Sequence, residues 1–116
     1  MNNGTANWRE TDPDPQLDLD TILRAVNHSY RRHTLMYLNV ENEPQPVADV
    51  ATAVGEELEQ HSDSDRQQIA LALRHQHLPL LGEAGLVEWT SRDLIESTGI
   101  TSDAVRLIQN VPKYFE

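Results

Sequence analysis

The stretch RHQHLPLLGEAGLVEW, residues 74–89, decides how the chain folds. Up to Ala84 its apolar residues keep helical spacing, and "EAGLV" then places Gly85 where a helix ends in the left-handed conformation that only glycine takes cheaply. Leu86 follows, ready to pack back on the last turn. Beyond it the period changes to that of a strand: in "LVEWT" Val87 and Trp89 share one face, and Glu88 and Thr90 share the other. "LIES" can return antiparallel across "SRD". A long helix followed by a short hairpin is therefore expected, the helix running from about Arg66 to Ala84 with Ser64 or Asp65 as its cap.

Pro79 stands inside that helix, and two histidines stand just before it. Proline cannot donate to the carbonyl of His75 and costs a helix about 3 kcal/mol or more, so a bend with a structural use is expected. His75 and His77 lie two residues apart, which turns their side chains roughly 160° from each other, whereas helical zinc pairs sit four apart. The chain has no cysteine, and no Asp or Glu stands near them at helical spacing. The pair is therefore read as support for the bend, with neither metal nor cofactor expected.

Upstream, Leu19, Ile22, Leu23 and Val26 form one amphipathic turn pattern with Asp18 as cap, and Ser29 can cap a second helix through "YRRHTLMYLN". In that second helix Tyr30, Thr34, Leu35 and Leu38 are expected inward, Arg31 and Arg32 outward, with His28 and His33 as half-buried or surface groups. "ENEPQP" ends it. Val47, Val50, Ala51 and Val54 repeat the helical pattern, with Pro46 suited to its first turn and Gly55 to its end. "EELEQHSDSD" reads as an acidic connection. Thr101 or Ser102 can cap a last helix that carries Val105 and Ile108 on one face, before a tail with Tyr114 and Phe115. Residues 1–16 read as a flexible arm, 17–98 as the folded domain, and 99–116 as a C-terminal helix and tail able to serve dimerisation.

The 116 residues suit one small domain. No run is apolar enough to span a membrane and the N-terminus has no signal-peptide core, so a soluble, cytoplasmic protein is expected. Nineteen carboxylates oppose nine basic residues, for a net charge of −10, and Lys113 alone among those nine is lysine. Such a surface looks like that of a protein from a salt-loving archaeon. Acidity normally argues against nucleic acid. In molar salt the objection weakens, because the Debye length falls to roughly 3 Å.

The order of elements, with "NHSYRRHTLMYL" and "LPLLGEAGLVEW" as its carriers, resembles the winged helix-turn-helix of arsenic-repressor-like regulators. The first stretch is similar to their D-P-T-R-R-x-I-L-x-x-L opening, the second to the L-x-x-L-x-x-A-G-L-V end of their recognition helix. Closer still, His75, His77, Leu78, Pro79 and Leu81 before Gly85, Leu86, Val87, Glu88 and Trp89 are similar to a family of small haloarchaeal winged-helix domains of unknown function. The resemblance covers about Leu19 to Thr98. It implies a mainly α fold with a small β-hairpin, whose long helix enters the major groove of double-stranded DNA while the hairpin reaches the backbone.

Carried over residue by residue, the groove-facing positions include Ala70, Leu71 and Ala72, which offer a base edge no hydrogen bond. Arg66, Gln67, Gln68, Arg74, His75 and Gln76 remain as polar candidates on the helix, with Arg31 and Arg32 on phosphates and Ser91 and Arg92 at the hairpin tip. On a helical wheel Ile69, Leu73 and Leu80 form one stripe and Leu71 and Leu78 a second, nearly opposite. A second stripe asks for a cover, so Leu71 and Leu78, with Val105, Ile108, Tyr114 and Phe115, are expected at a homodimer interface. No nucleophile stands beside a base, and there is no glycine-rich phosphate loop or defined carboxylate pair, so no enzyme is expected, nor is a small-molecule ligand identifiable. The leading function is a DNA-binding transcriptional regulator. The alternative is a winged helix serving protein interaction without DNA.

Overall fold

The computed structural model describes residues 19–110. Its elements are α1 (Leu19–Ala25), α2 (Ser29–Val40), β1 (Gln45–Pro46), α3 (Val47–Glu57), α4 (Asp63–Ala72), a π turn (Leu73–His77), α5 (Leu78–Glu83), β2 (Val87–Trp89), β3 (Leu94–Ser97) and α6 (Thr101–Asn110). From α2 onward this is the helix, strand, two helices, strand, wing, strand order of a winged helix, flanked by α1 and α6. The mainly α fold with a small hairpin stands, with one addition. A third strand, β1, pairs antiparallel with β3 to give the sheet order β1-β3-β2. Two residues holding a proline carry no strand signal of their own; β1 exists because β3 offers it an edge, where proline is tolerated. Tyr37 fixes it from behind, donating its hydroxyl to Gln45 Oε1 at 2.8 Å.

The core is one cluster running through every helix. Ile22, Val26, Leu35, Leu38, Val47, Val50, Val54, Ile69, Leu73, Leu78, Leu81, Leu86, Ile95 and Ile108 all lie within it. Val47, Val50, Ala51 and Val54 face inward on α3 as their spacing requires. The helix stops later than Gly55, however. Glu57 is its last residue and Leu58 its C-cap, Glu59 takes the left-handed conformation with φ 59°, and Gln60 donates its amide back to the Gly55 carbonyl at 2.8 Å. That is a Schellman ending with glutamate in the glycine position. Ser62, not Ser64 or Asp65, then caps α4, accepting from the amide of Asp65, whose carboxylate returns the bond to the Ser62 amide.

The long helix carries the largest correction. It continues from Asp63 to Glu83, but through a π turn in which the Leu78 amide reaches the Leu73 carbonyl five residues back. A regular helix would place Leu78 well away from Leu73; one extra residue in the turn brings it onto the same face. Leu78 is consequently fully buried beside Leu73 and Leu81, and Leu71 alone is left outside at 59% exposure. The second apolar stripe does not exist. The helix ends as expected: Gly85 has φ 79°, donates to Gly82, and is followed by Leu86 donating to Leu81 at 2.9 Å.

In the hairpin Val87 pairs with Ser97, Glu88 with Glu96 and Trp89 with Ile95. Val87 is buried while Trp89 is 37% exposed, so the inward face of the strand opens to solvent at its tip. Thr98 and Thr101 fasten α6 to the turn after α5: Thr98 Oγ1 donates to the Gly85 carbonyl and Thr101 Oγ1 to the Leu86 carbonyl, at 2.7 and 2.8 Å. Ala104, Val105 and Ile108 of α6 are buried in the chain's own core. Val105, Ile108 and Leu78 therefore have no surface to give a dimer partner. Tyr114 and Phe115 lie outside the described residues, as do the arm 1–16 and the Asp18 cap.

Candidate nucleic-acid interface

Gln67, Gln68, Leu71, Arg74, His75 and Gln76 are exposed along α4 and the π turn, together on the side away from the core. Ile69, Leu73 and His77 face the other way. The wing, residues 90–93, is exposed throughout. Asp93 at its base pairs with Arg74, which ties the wing to the middle of the long helix. The same turn is closed by the Val47 amide, donating to the Asp93 carbonyl at 3.1 Å, so helix, wing and start of α3 are held as one body. Arg92 at the tip has no ion-pair partner among the described residues.

The remaining cations are less available than the sequence suggests. Arg66 pairs with Asp63 one turn earlier and donates to the His61 carbonyl. Asp63 and Asp65 crowd the same helix start, where carboxylates suit the helix dipole. Arg66, Arg74 and Arg106 are all paired on the surface, the last with Asp103 at 2.6 Å. Surface pairs of this kind are worth about 0–1 kcal/mol and exchange readily for another anion.

Arg31 is the clear correction among the phosphate candidates. It is 7% exposed and points inward. Its Nε donates to the Ala25 carbonyl at 2.6 Å and its Nη1 to His77 Nδ1 at 3.0 Å, with Arg24 O reached at 3.5 Å. Arg32 donates to the Val26 carbonyl at 3.0 Å. Neighbouring arginines thus close the carbonyl end of α1, a favourable place for cations. Seven-residue α1 has few bonds of its own, and the guanidinium groups supply what it lacks.

His77 lies at the centre of this buried polar cluster, 2% exposed. Its ring sits 4.3 Å from that of His28 and 5.4 Å from Tyr30. A guanidinium can only donate, so Nδ1 of His77 accepts and its proton sits on Nε2. Burial, then the nearby His28 and Arg31, push the His77 pKa down to about 4. The His28 pKa is also lowered, by burial first and then by the nearby Arg31 and Arg32, and its Nδ1 caps α2 by accepting the Tyr30 amide at 3.0 Å. That cap replaces the expected Ser29. His75, by contrast, is exposed, and among the described residues no group of three metal-ligating side chains exists.

A family model described as a domain of unknown function, DUF7344, matches residues 23–96. The chain belongs to the DUF7344 family. No curated protein and no solved structure matches it. The DUF7344 match begins inside α1 and closes inside β3. It takes in Arg31, His77, the outer face of α4 and the wing, and leaves α6 outside.

Two long-range contacts of the long helix were invisible in the one-dimensional pattern. The Arg74–Asp93 pair joins residues 19 apart, and the Arg31–His77 pair joins residues 46 apart. A signal for the second did exist. Two arginines six residues past the last turn of a short helix are well placed to close its carbonyls.

Proposed function

We propose that the protein is a winged-helix DNA-binding regulator acting as a homodimer in a salt-rich cytoplasm. The observation that carries this reading is the single exposed face on which Gln67, Gln68, Arg74, His75 and Gln76 stand together, joined to the Arg92 wing through Asp93. Glutamine matches the adenine edge in the major groove, arginine the guanine edge or a phosphate. Arg74 trades its half-exposed partner for a phosphate at little cost, and Arg92 meets the backbone beside it. Asp63 and Asp65 repel phosphate in dilute buffer. Concentrated salt screens that repulsion within a few ångström. Leu19 and Leu23, exposed one turn apart on α1, supply apolar surface for a second subunit, whose two-fold axis sets half-sites roughly 34 Å apart.

A second reading, a winged helix that binds protein and not DNA, is favoured by Leu71, an exposed leucine in the middle of the reading face. Retention of genomic DNA fragments at molar KCl separates the two. The regulator reading expects a subset of fragments to be retained by the wild type and at least about tenfold weaker binding by Gln67→Ala/Gln68→Ala. No fragment retained, with a stable dimer in light scattering, would favour the interaction module.

A further inference from the structure

We infer that the Arg31–His77 contact is a latch holding the recognition helix in its π-turn form, which makes His77 a positioning residue for Arg74, His75 and Gln76. The consequence for DNA rests on the function proposed above; the latch itself does not.

The π turn has to bring two inward anchors, His77 and Leu78, onto the face of Leu73 while three residues between them stay outside. Leu78 is held by the apolar core. His77 is held by a hydrogen bond: Arg31 Nη1 lies 3.0 Å from Nδ1, and Arg31 is itself anchored at 2.6 Å on the Ala25 carbonyl. The chain of contacts therefore runs from the end of α1, through the first turn of α2, into the middle of the reading helix. Pro79 makes such an outside anchor necessary, because it cannot donate the amide that a continuous helix would use at that place.

The contact works only while His77 is neutral. An imidazolium has no acceptor, so protonation would set two donors, both cationic, 3.0 Å apart in a buried site. Among the described residues, the charged or titratable groups facing His77 are His28, Tyr30 and Arg31, from α2 and the residue that caps it. From α1 come the carbonyls of Arg24 and Ala25, on Arg31. α3 buries only Val47, Val50, Ala51, Val54 and Gly55, and among the described residues no carboxylate is hydrogen-bonded to Arg31 or His77 to absorb a second positive charge. The depressed affinity of His77 for a proton agrees with this geometry.

The test is hydrogen exchange at the Leu78 amide, the donor of the π bond, in three proteins. His77→Phe fills the space without an acceptor; His77→Gln keeps an acceptor oxygen and does not titrate. With exchange corrected for intrinsic rate, the latch expects Leu78 to open at least about tenfold more often in His77→Phe, and within about threefold of wild type in His77→Gln. It expects wild-type protection to fall between pH 6.5 and about 4, while His77→Gln follows a flatter profile. If His77→Phe does not fold, Arg31→Lys, which keeps a donor for the α1 carbonyls but loses the fork that spans both partners, replaces it. Unchanged Leu78 protection in the loss variant, or identical pH profiles for wild type and His77→Gln, overturns the latch. Fragments retained by wild type and His77→Gln but bound about tenfold more weakly by His77→Phe extend it to DNA reading. If wild type retains no fragment, the DNA reading fails and the exchange result still decides the latch.

Discussion

A Cβ on Gly55 would lie 2.5 Å from the carbonyl oxygen of Gln60, the residue whose amide closes the end of α3. Alanine is the better helix former by about 1 kcal/mol, yet here the clash wins. Gly55→Ala is expected to lower stability by roughly 1–3 kcal/mol, read from the urea midpoint. Glu59 is the reverse case, a side chain where the backbone has φ 59°. Glu59→Gly relieves that strain and should raise stability by about 0.5–1 kcal/mol. The apolar pattern alone marks Gly55 as a helix end; the real end depends on Gln60 folding back, which no periodicity records. His77 adds a pH dependence. Its folded pKa, about 4, lies below the ordinary 6.5, so between those values the unfolded chain binds more protons. Stability is full above pH 6.5 and falls as the pH drops toward 4, by roughly 3 kcal/mol at most. The slope between pH 7 and 5, before most carboxylates titrate, should be visibly shallower in His77→Gln.

At the level of elements, the long helix and the hairpin were legible because each has a local cause: a core-facing stripe, a glycine C-terminal turn, and a period of two after it. Three things were not. β1 is made by pairing with β3, the capping box at Ser62 competes with two equally good cap residues nearby, and the π turn changes the helical period within one turn. A wheel drawn at constant angle cannot register that change, which is why Leu78 falls on the wrong side of it. Truncation separates the two geometries. Leu78→Ala should cost about 2–5 kcal/mol as a core cavity, and Leu71→Ala less than about 0.5 kcal/mol. Equal losses in thermal or urea unfolding would restore the two-stripe helix.

For the whole molecule the dominant fact is charge. At −10 over 116 residues the chain repels itself, and Glu88 faces Glu96 directly across the hairpin. Like charges at that spacing destabilise a sheet by up to about 1 kcal/mol. The unfolding temperature is therefore expected to rise as KCl goes from tenths molar to molar, and the rise should be smaller in Glu88→Gln, whose low-salt stability is higher. The candidate site was only half legible. Its glutamines, Arg74 and His75 are exposed, because outward helix positions follow from inward ones. Arg31 was misplaced, since nothing local tells an arginine that caps a neighbouring helix from one that faces solvent. The proposed reading face is tested most directly by backbone amide shifts on titrating retained DNA into labelled protein at molar KCl. The account predicts saturable shifts centred on Gln67, Gln68, Arg74, His75 and Arg92, with α6 and the outer face of α3 silent. No shifts at these residues, or shifts centred on another face, would contradict it.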